Sequence, residues 1–294
     1  MFFDTQLGTF RFVHPLGNSY KPAVLPWEAH TVTAAIPHLN TLEPLKLVIA
    51  LLREQTVKPF LMVIDTGSPP DVLRELETLR APDLEIHYVQ AHAYRHSSEP
   101  VTVALDLAQT LCRTKHLFHT HADCFLRRRD LLEDWMRICT ANTPAIGYRM
   151  SPRDWITDEW EWMVGHTALM LYMPSIHRIG ATWSFQRIHY AYGYPFWQGG
   201  GWPDTETGFN CALRDGGIKP VFLGFDRNYE RQIDDNIDHC RSFPGSKIPN
   251  AGHGDYHEKA IPWMKAALQE GAERLQLWRS ASKATIAQGP QTAY

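Results

Sequence analysis

Imidazole and carboxylate side chains recur in this chain at positions where they could hold a divalent metal ion. His119, His121 and Asp123 alternate along one short segment, HTHAD, which directly follows an apolar run. Carboxylate and imidazole groups suit Mn²⁺ or Mg²⁺ better than thiolates do. Further along, Asp204 and Glu206 open a helical segment, where an acidic side chain either favours the positive end of the helix or faces a cleft.

Polar groups also stand at the ends of two earlier apolar segments. Residues 37–40 (PHLN) follow the first segment, and residues 65–68 (DTGS) follow the second. In open parallel sheets, ligands bind outside the carboxyl ends of the strands, so both groups and HTHAD are expected at one binding edge. Asp, Asn, Gly and Ser also favour turns for conformational reasons, and each group alone could be ordinary turn chemistry.

An alternation of apolar runs and helical spacing supplies the elements that would position these groups. Strands are predicted at residues 31–36, 60–64, 84–89, 115–119, 167–172 and 218–223. Helices are predicted at residues 43–55, 71–79, about 101–112, 129–139, about 204–215 and about 258–282. Regular strand–helix–strand succession with short connections implies parallel pairing with crossover helices. The predicted fold is therefore α/β, with a mostly parallel central sheet flanked by helices and a C-terminal helical extension on a single domain.

Composition narrows the class of protein. The formal net charge is -3 and the only dense basic run is Arg127–Arg129, which argues against a dedicated nucleic-acid binder. Five cysteines lie far apart without a C-x-x-C pair, so neither a disulfide framework nor a structural zinc site is expected. Reduced thiols, an N-terminus unlike a signal peptide and the lack of a long apolar stretch predict a cytoplasmic protein without a transmembrane helix.

Three segments together resemble the GT-A glycosyltransferases, specifically the family 2 type. The first, AAIPHLNTLEPLKLVIALLREQTVKPFLMVIDTGSPP, is similar to that family's opening strand, helix and second strand, which ends in an Asp-x-x-Ser turn. The second, LFHTHADCFLRRRDLLE, resembles the metal-binding turn, in which D-x-D precedes an apolar residue and a helix. The third, WPDTETGFNCALRDGGIKPVFLG, resembles the later acidic segment and helix. The resemblance spans residues 31–224 and implies a GT-A (Rossmann-like) fold.

The resemblance implies a nucleotide-sugar site. Asp123 matches the second acid of D-x-D, which in the family binds the metal bridging the donor diphosphate, and His121 replaces the first acid. A neutral imidazole can still ligate Mn²⁺ or accept a hydrogen bond, so the implied cofactor is Mn²⁺ or Mg²⁺. Asp65 would contact the nucleobase, with Pro37 and Asn40 lining the nucleotide pocket. Asn40 also has the N-x-x-E spacing of a helix capping box.

A catalytic base and a late metal ligand are implied in the same way. The family's base is the Asp of a Glu-Asp pair; Asp204 matches it, with Pro203 in place of the Glu. Glu206 is a close alternative, because both side chains could reach a cleft from the start of a helix. A late histidine often completes the metal site in such enzymes, and His239 and His253 are both candidates. Tryptophans flank the predicted acceptor side, where they could stack on a sugar or base or simply pack: Trp155, Trp160, Trp162, Trp197 and Trp202, of which Trp197 and Trp202 are the predicted acceptor-binding residues.

The predicted function is transfer of a sugar from a nucleotide-sugar donor to an acceptor hydroxyl, metal-dependent and inverting, with Asp204 as general base. A glycan, lipid-linked or small-molecule acceptor is expected, and a modified nucleobase in DNA stays open. Two other functions remain. One is a non-catalytic nucleotide- or carbohydrate-binding module on the same fold, because the first acid of D-x-D is missing. The other is a zinc-dependent hydrolase that uses His119 and His121.

The same reasoning divides the chain into three parts. Residues 1–30 are predicted to form an irregular or β-hairpin cap. Residues 31–224 form the catalytic domain, with the nucleotide-sugar half at about 31–140 and the acceptor half at about 141–224. Residues 225–294 form a C-terminal extension with the long helix.

Overall fold

The computed structural model of this chain describes residues 2–4, 9–11, 29–89, 99–150, 161–183, 205–226, 231–240 and 254–287. Several residues singled out in the sequence lie outside these ranges: Trp155, Trp160, Trp197, Trp202, Asp204 and His253. The roles predicted for them stay predictions.

A seven-stranded sheet forms the centre of the protein. In chain order its strands are β3 (Val32–His38), β4 (Phe60–Asp65), β5 (Leu84–Tyr88), β6 (His116–Thr120), β8 (Ala145–Met150), β9 (Met163–Tyr172) and β10 (Val221–Phe225). Their order across the sheet is β10-β8-β9-β6-β3-β4-β5. Strand β9 runs antiparallel to β6 and β8, and every other pair in this sheet is parallel. The predicted mostly parallel sheet is confirmed.

Helices cover both faces of the sheet, and each face has its own apolar core. One face packs against α1 (Leu42–Arg53), α2 (Pro70–Glu77), α4 (Leu131–Ile138) and the long helix α7 (Gly254–Ala287). The other face packs against α3 (Glu99–Leu111), α5 (Met173–Arg178) and α6 (Thr207–Asp215). Because both faces are covered, the parallel strands can be apolar throughout, and all six residues of β4 are buried. The flanking helices and the C-terminal helix are as predicted.

Two small antiparallel sheets accompany the central one. Strands β1 (Phe2–Asp4) and β2 (Thr9–Arg11) pair with each other in antiparallel fashion near the N-terminus. Strands β7 (Cys124–Leu126), β11 (Gln232–Ile233) and β12 (Ile237–His239) form a three-stranded sheet with β12 in the middle. This second sheet joins the segment after β6 to a segment from the C-terminal part of the chain.

The register of the central strands places the predicted polar groups at one edge. Strand β3 lies between β4 and β6, with His38 opposite Asp65 in one pair and Ala35 opposite His119 in the other. The three strands are parallel, so their carboxyl ends, and the turns that follow them, lie on the same side of the sheet. The turns after β3, β4 and β6 therefore line one edge, as the sequence predicts.

The start of α1 differs from the capping-box interpretation. The N-cap residue is Thr41 rather than Asn40, and its side chain makes no capping hydrogen bond. Asn40 instead has φ 51°, in the left-handed region that Asn tolerates better than most residues do. The choice of Asn here is explained by the tight turn after β3.

All five cysteines are buried and free. In the part of the chain that the structure describes, no helix combines the length and apolar character needed to cross a membrane.

Candidate metal and transfer site

The turn between β6 and β7 carries the residues that the sequence marks as metal ligands. Strand β6 ends at Thr120, and residues 121–123 turn the chain into β7, which starts at Cys124. Asp123 is fully buried, and its Oδ1 lies 3.9 Å from Nδ1 of His121. The turn therefore brings the imidazole and the carboxylate of the sequence motif together.

Strand pairing brings His239 to the same place. In the antiparallel pair of β12 and β7, His239 lies opposite Cys124, and the N–H of Cys240 donates to the carbonyl oxygen of Asp123 at 3.0 Å. As a result, Nε2 of His239 lies 3.5 Å from Oδ1 of Asp123. The structure places His239, one of the two late histidines left open by the sequence, beside Asp123, and His253 lies outside the described residues.

The three residues have the arrangement of a metal site. One ligand atom from each of His121, Asp123 and His239 lies within 4.8 Å of the other two. Both carboxylate oxygens of Asp123 and both ring nitrogens of His239 are buried, and none of the four has a hydrogen-bond partner among the described residues. Buried polar atoms are nearly always satisfied in folded proteins, so four such atoms side by side fit an ion better than they fit a dry core.

Electrostatics keeps this carboxylate in its charged form. Burial alone would raise the pKa of Asp123, but the electrostatic attraction of the neighbouring imidazoles of His239 and His121 outweighs burial and holds the pKa below its ordinary value. Two imidazoles and one carboxylate are ligands that suit Mn²⁺ or Zn²⁺, whereas Mg²⁺ prefers oxygen ligands and keeps several waters. Within the predicted pair of cofactors, the donor set fits Mn²⁺ better than Mg²⁺.

A buried ion pair fixes the strand that carries His239. Asp238 is fully buried and accepts from Arg231 at both oxygens, at 2.8 Å from Nε and 2.6 Å from Nη2. The same guanidinium lies 3.0 Å from Glu270 of α7. These contacts raise the pKa of Arg231 above its usual range. The long C-terminal helix is thereby tied to the residue that precedes His239.

Glu206 lies beside this group through His166, a residue that sequence reasoning missed. Its Oε1 is 2.5 Å from Nδ1 of His166 in β9, and the two residues are 40 positions apart in the chain. The ring of His166 lies against the ring of His121, with 4.5 Å between centroids. A line of contacts therefore runs from Glu206 through His166 to the His121–Asp123–His239 group. The available signal was an imidazole inside an otherwise apolar strand, which a core histidine would also explain.

Local packing explains why Glu206 is held at this point. Its carbonyl oxygen accepts from both the backbone and the side chain of Asn210, each at 3.0 Å. The amide of Asn210 also bonds the backbone N–H and C=O of Val164 in β9, at 2.8 and 3.0 Å. One side chain thus clamps the first turn of α6 against the strand that carries His166.

Trp183 packs next to the pair of Glu206 and His166. It is fully buried, stacks on Phe209 of α6 at 4.2 Å between centroids, and faces His166 at 6.0 Å. Its Nε1–H donates to Gln109 of α3 at 2.7 Å. Trp183 was not among the tryptophans singled out in the sequence, because its role depends on contacts between distant helices.

The edge formed by the turns after β3 and β4 is organised around Asp65, which is almost completely buried. Its Oδ1 accepts from the N–H groups of Gly67 and Ser68, at 3.0 and 2.9 Å. Its Oδ2 accepts from the Ser68 hydroxyl at 2.5 Å and from Nδ1 of His38 at 2.8 Å. Nε2 of His38 accepts from the Thr41 N–H at 3.1 Å, so the imidazole carries its proton on Nδ1. The carboxylate therefore ties the turns after β3 and β4 together.

Pro37 and Asn40 line the same edge. Both are half-buried, and the Asn40 N–H donates to the Ser68 hydroxyl at 2.7 Å. Contact of Pro37, Asn40 and Asp65 with a nucleotide stays a prediction, and for Asp65 the four bonds above give a structural role in addition.

Other residues named from the sequence have different surroundings. His119 is fully buried beside Trp183, with 5.8 Å between centroids, and burial lowers its pKa to about 3, so the ring is neutral. The metal-capable group contains His121 but not His119, and the hydrolase alternative built on that pair gains no support. Trp162 packs near Phe222, at 6.2 Å, and under the guanidinium of Arg214, at 5.4 Å.

The basic run is also used inside the protein. Arg127 donates to the carbonyl oxygen of Asp234 at 2.6 Å, and Arg129 donates to that of Glu54 at 2.8 Å. Arg128 pairs with two acids of its own segment, Asp130 and Asp134. These contacts account for the run without a polyanionic partner.

Comparison with known proteins finds distant similarity to solved structures. No protein-family model matches the sequence, and no match was found among curated proteins. Among solved structures, the mannosyltransferase PcManGT from Pyrobaculum calidifontis, in complex with GDP-Man and Mn²⁺, is 16% identical, with 90% of this chain and 76% of that chain covered and a TM-score of 0.43. The galactosyltransferase LgtC is 12% identical, with 50% of this chain and 59% of that one covered and a TM-score of 0.36. The fold itself is α/β, with a mostly parallel sheet covered by helices on both faces.

TarS of S. aureus is a further similar structure, at 12% identity and a TM-score of 0.39. The match covers 53% of this chain and 31% of TarS, and about half of the TarS 1-349 fragment, so this chain spans well under two thirds of it. The TarS fragment is also known in complex with UDP-GlcNAc. These likenesses concern the fold alone.

Proposed function

We propose that this chain is a metal-dependent glycosyltransferase that moves a sugar from a nucleotide-sugar donor to an acceptor hydroxyl. The observation that carries the proposal is the buried group of His121, Asp123 and His239 at the carboxyl edge of the sheet, with Glu206 held next to it through His166. A metal site beside an acid is the combination that such a transfer needs. A leaving diphosphate requires positive charge, and an acceptor hydroxyl requires a base.

In this proposal His121, Asp123 and His239 hold the divalent cation. When bound, the cation supplies the positive charge that stabilises a nucleoside diphosphate as a leaving group. The buried Asp123 carboxylate supplies the anionic ligand, and β12 supplies the late histidine. Residues 31–224 act as the catalytic domain, and residues 225–294 complete the site through His239.

The nucleotide would lie across the turns after β3 and β4. Pro37 and Asn40 line this edge, and Asp65 fixes its shape through His38 and Ser68. The nucleobase of the donor would then contact this surface, and the diphosphate would point toward Asp123. The donors held by similar structures, UDP-GlcNAc and GDP-Man, are the first to test.

On the acceptor side, a carboxylate takes the proton of the attacking hydroxyl, in a single displacement that inverts the anomeric carbon. Asp204 and Glu206 remain the two candidates for this base, with Trp197 and Trp202 as acceptor-binding residues. Donor turnover and donor affinity are measured for Asp204→Asn and for Glu206→Gln. The base is the residue whose substitution abolishes turnover but leaves donor affinity unchanged. Such groups contribute about 10²–10⁴-fold to rate. Retention of the anomeric configuration by NMR would contradict the single displacement.

For the acceptor we propose a glycan, lipid-linked or small-molecule hydroxyl compound. A modified nucleobase in DNA has less support, because Arg127–Arg129 are engaged inside the protein. We also propose that the protein acts in the cytoplasm, where its five free thiols would stay reduced.

Thermal-shift screening of nucleotide sugars, with and without Mn²⁺, tests the proposal. A ligand at about 100 times its dissociation constant stabilises the folded state by about 2.7 kcal/mol, so a true donor gives a clear, concentration-dependent shift. The expected result is a shift from at least one donor that depends on Mn²⁺. If no nucleotide or nucleotide sugar shifts the transition, the proposal is wrong. Binding of a donor without turnover would instead favour the non-catalytic module.

A further inference from the structure

The carboxylate of Glu206 is not used by the helix that it precedes. Glu206 occupies the N-cap position of α6, yet its side chain makes no capping hydrogen bond. The carboxylate turns instead to His166, with Oε1 at 2.5 Å from Nδ1. Both residues are buried, so the contact is made away from bulk water, where hydrogen bonds to charged groups are strong.

The imidazole of His166 has aromatic neighbours in addition to Glu206. One side of its ring lies against His121, at 4.5 Å between centroids, and Trp183 lies at 6.0 Å. Asn210 fixes the backbone on both sides of the pair, because it bonds the carbonyl of Glu206 and both backbone groups of Val164. His166 is therefore packed and hydrogen-bonded on several sides, and Glu206 is bonded to a partner with fixed surroundings.

We infer that His166 is a positioning residue that holds the Glu206 carboxylate in the orientation in which it takes the acceptor proton. A glutamate has three side-chain torsions, and a hydrogen bond from a fixed N–H removes most of that freedom. A misplacement of about 1 Å at a reacting group can cost about 100-fold in rate, so a fixed carboxylate is a substantial advantage. This role rests on the proposed transferase function and on Glu206 as its base.

The position of the pair adds a second consequence. The same imidazole contacts His121 of the metal-capable group, so the carboxylate and the metal ligands are held against one common ring. The distance between proton acceptor and leaving group is then set through His166 on strand β9, which contacts both Glu206 and His121. Such placement on strands is the arrangement that keeps a catalytic geometry precise.

A matched pair of variants tests the inference. In His166→Asn, the amide N–H lies near the position of the histidine Nδ1, so the hydrogen bond to Glu206 can be kept. In His166→Gln, the amide lies near the position of Nε2, so that bond is lost while polarity and size are similar. For each variant, the dissociation constant of a nucleoside diphosphate with Mn²⁺, and kcat and KM for donor turnover, are measured on the full chain.

The expected result is a split between binding and rate. His166→Gln should lower kcat by about 10- to 100-fold, while donor affinity changes by less than about twofold, and His166→Asn should restore most of kcat. Equal and nearly wild-type kcat in both variants would overturn the role of His166. Equal losses of kcat, donor affinity and melting temperature in both would assign His166 a structural role only and would also overturn it.

The wild-type protein separates this inference from the proposed function. A wild type that turns over a donor, with unaffected His166 variants, contradicts only the positioning role. A wild type that neither binds nor turns over any donor contradicts the proposed function, and the positioning role falls with it.

Discussion

Nε2 of His239 lies 3.5 Å from Oδ1 of Asp123, although the two residues belong to opposite halves of the chain. The antiparallel pairing of β12 with β7 sets this distance. The candidate metal site is therefore complete only when the C-terminal part of the chain has folded onto the central sheet. Stability of that part and metal affinity should be coupled, since a preformed site rarely exists in an unfolded chain.

Loss of either buried ligand should weaken metal binding strongly. Asp123→Asn removes the only carboxylate of the group, and His239→Leu removes one imidazole, so affinity for Mn²⁺ should fall on the order of 100-fold or more in each. Calorimetric titration with Mn²⁺ measures the change. Asp83→Asn is the control, because Asp83 pairs with Arg53 near the surface, and it should bind Mn²⁺ as the wild type does. Unchanged Mn²⁺ affinity in Asp123→Asn would show that Asp123 is not a metal ligand.

The buried ion pair next to His239 should be costly to break from one side. Arg231→Met leaves the buried Asp238 carboxylate without its partner, so the free energy of unfolding should fall by about 3–5 kcal/mol. Adding Asp238→Leu should recover much of this loss, because an apolar pair of similar volume replaces the ion pair. Chemical denaturation measures both. Glu270→Gln, at the exposed side of the same guanidinium, should cost less than about 1 kcal/mol. If Arg231→Met is as stable as the wild type, the ion pair of Arg231 and Asp238 does not anchor β12.

Asp65 should matter for stability as well as for nucleotide binding. In Asp65→Asn, an amide donor would replace the oxygen that accepts from His38 and Ser68, and the lost bonds should lower the free energy of unfolding by about 3 kcal/mol. Asp71→Asn, in the exposed first turn of α2, is the control and should change stability by a few tenths of a kcal/mol. Affinity for a nucleoside monophosphate, measured on the folded mutant, should fall as well. Wild-type stability and affinity together would leave Asp65 as an ordinary turn residue.

The regular first half of the chain is predictable because its signals are local. Helices α1 and α2 and strands β4 and β6 lie within one to two residues of their predicted bounds at most ends, and the Asp65 turn and the HTHAD turn follow the predicted strands. Apolar periodicity and turn residues encode these features directly. The common edge of the sheet then follows from parallel pairing alone.

The second half depends on pairing that no local pattern encodes. Strand β9 starts at Met163, but its start was predicted near Thr167. The prediction was too late because Gly165 and His166 interrupt the apolar run of the strand. Its antiparallel direction was not predicted, since alternating strands and helices favour parallel pairs, whereas antiparallel neighbours need no crossover helix. Strands β7 and β12 are too short to recognise, so the approach of His239 to Asp123 could not be predicted from the sequence. The His166–Glu206 contact was missed for the same reason.

The cysteines should be unreactive in the folded protein. Burial raises the pKa of Cys139 to about 12 and raises those of Cys112, Cys124 and Cys240 as well. The thiolate is the reactive form of cysteine, and a raised pKa leaves almost none of it at pH 8. Burial also shields these thiols from reagents. Labelling with a thiol reagent at pH 8 should give no rapid reaction in the native state and five equivalents after denaturation. Rapid native labelling would show that at least one of these thiols is accessible.

Donor turnover tests the central claim most directly. The protein is incubated with individual nucleotide sugars, starting with UDP-GlcNAc and GDP-Man, and release of the nucleoside diphosphate is followed by ³¹P NMR with Mn²⁺ or with EDTA. At least one donor should be consumed with Mn²⁺, and consumption should stop with EDTA and in Asp123→Asn. Turnover that is equally fast with EDTA and in Asp123→Asn, or a protein that consumes no donor with or without added acceptors, would contradict that claim.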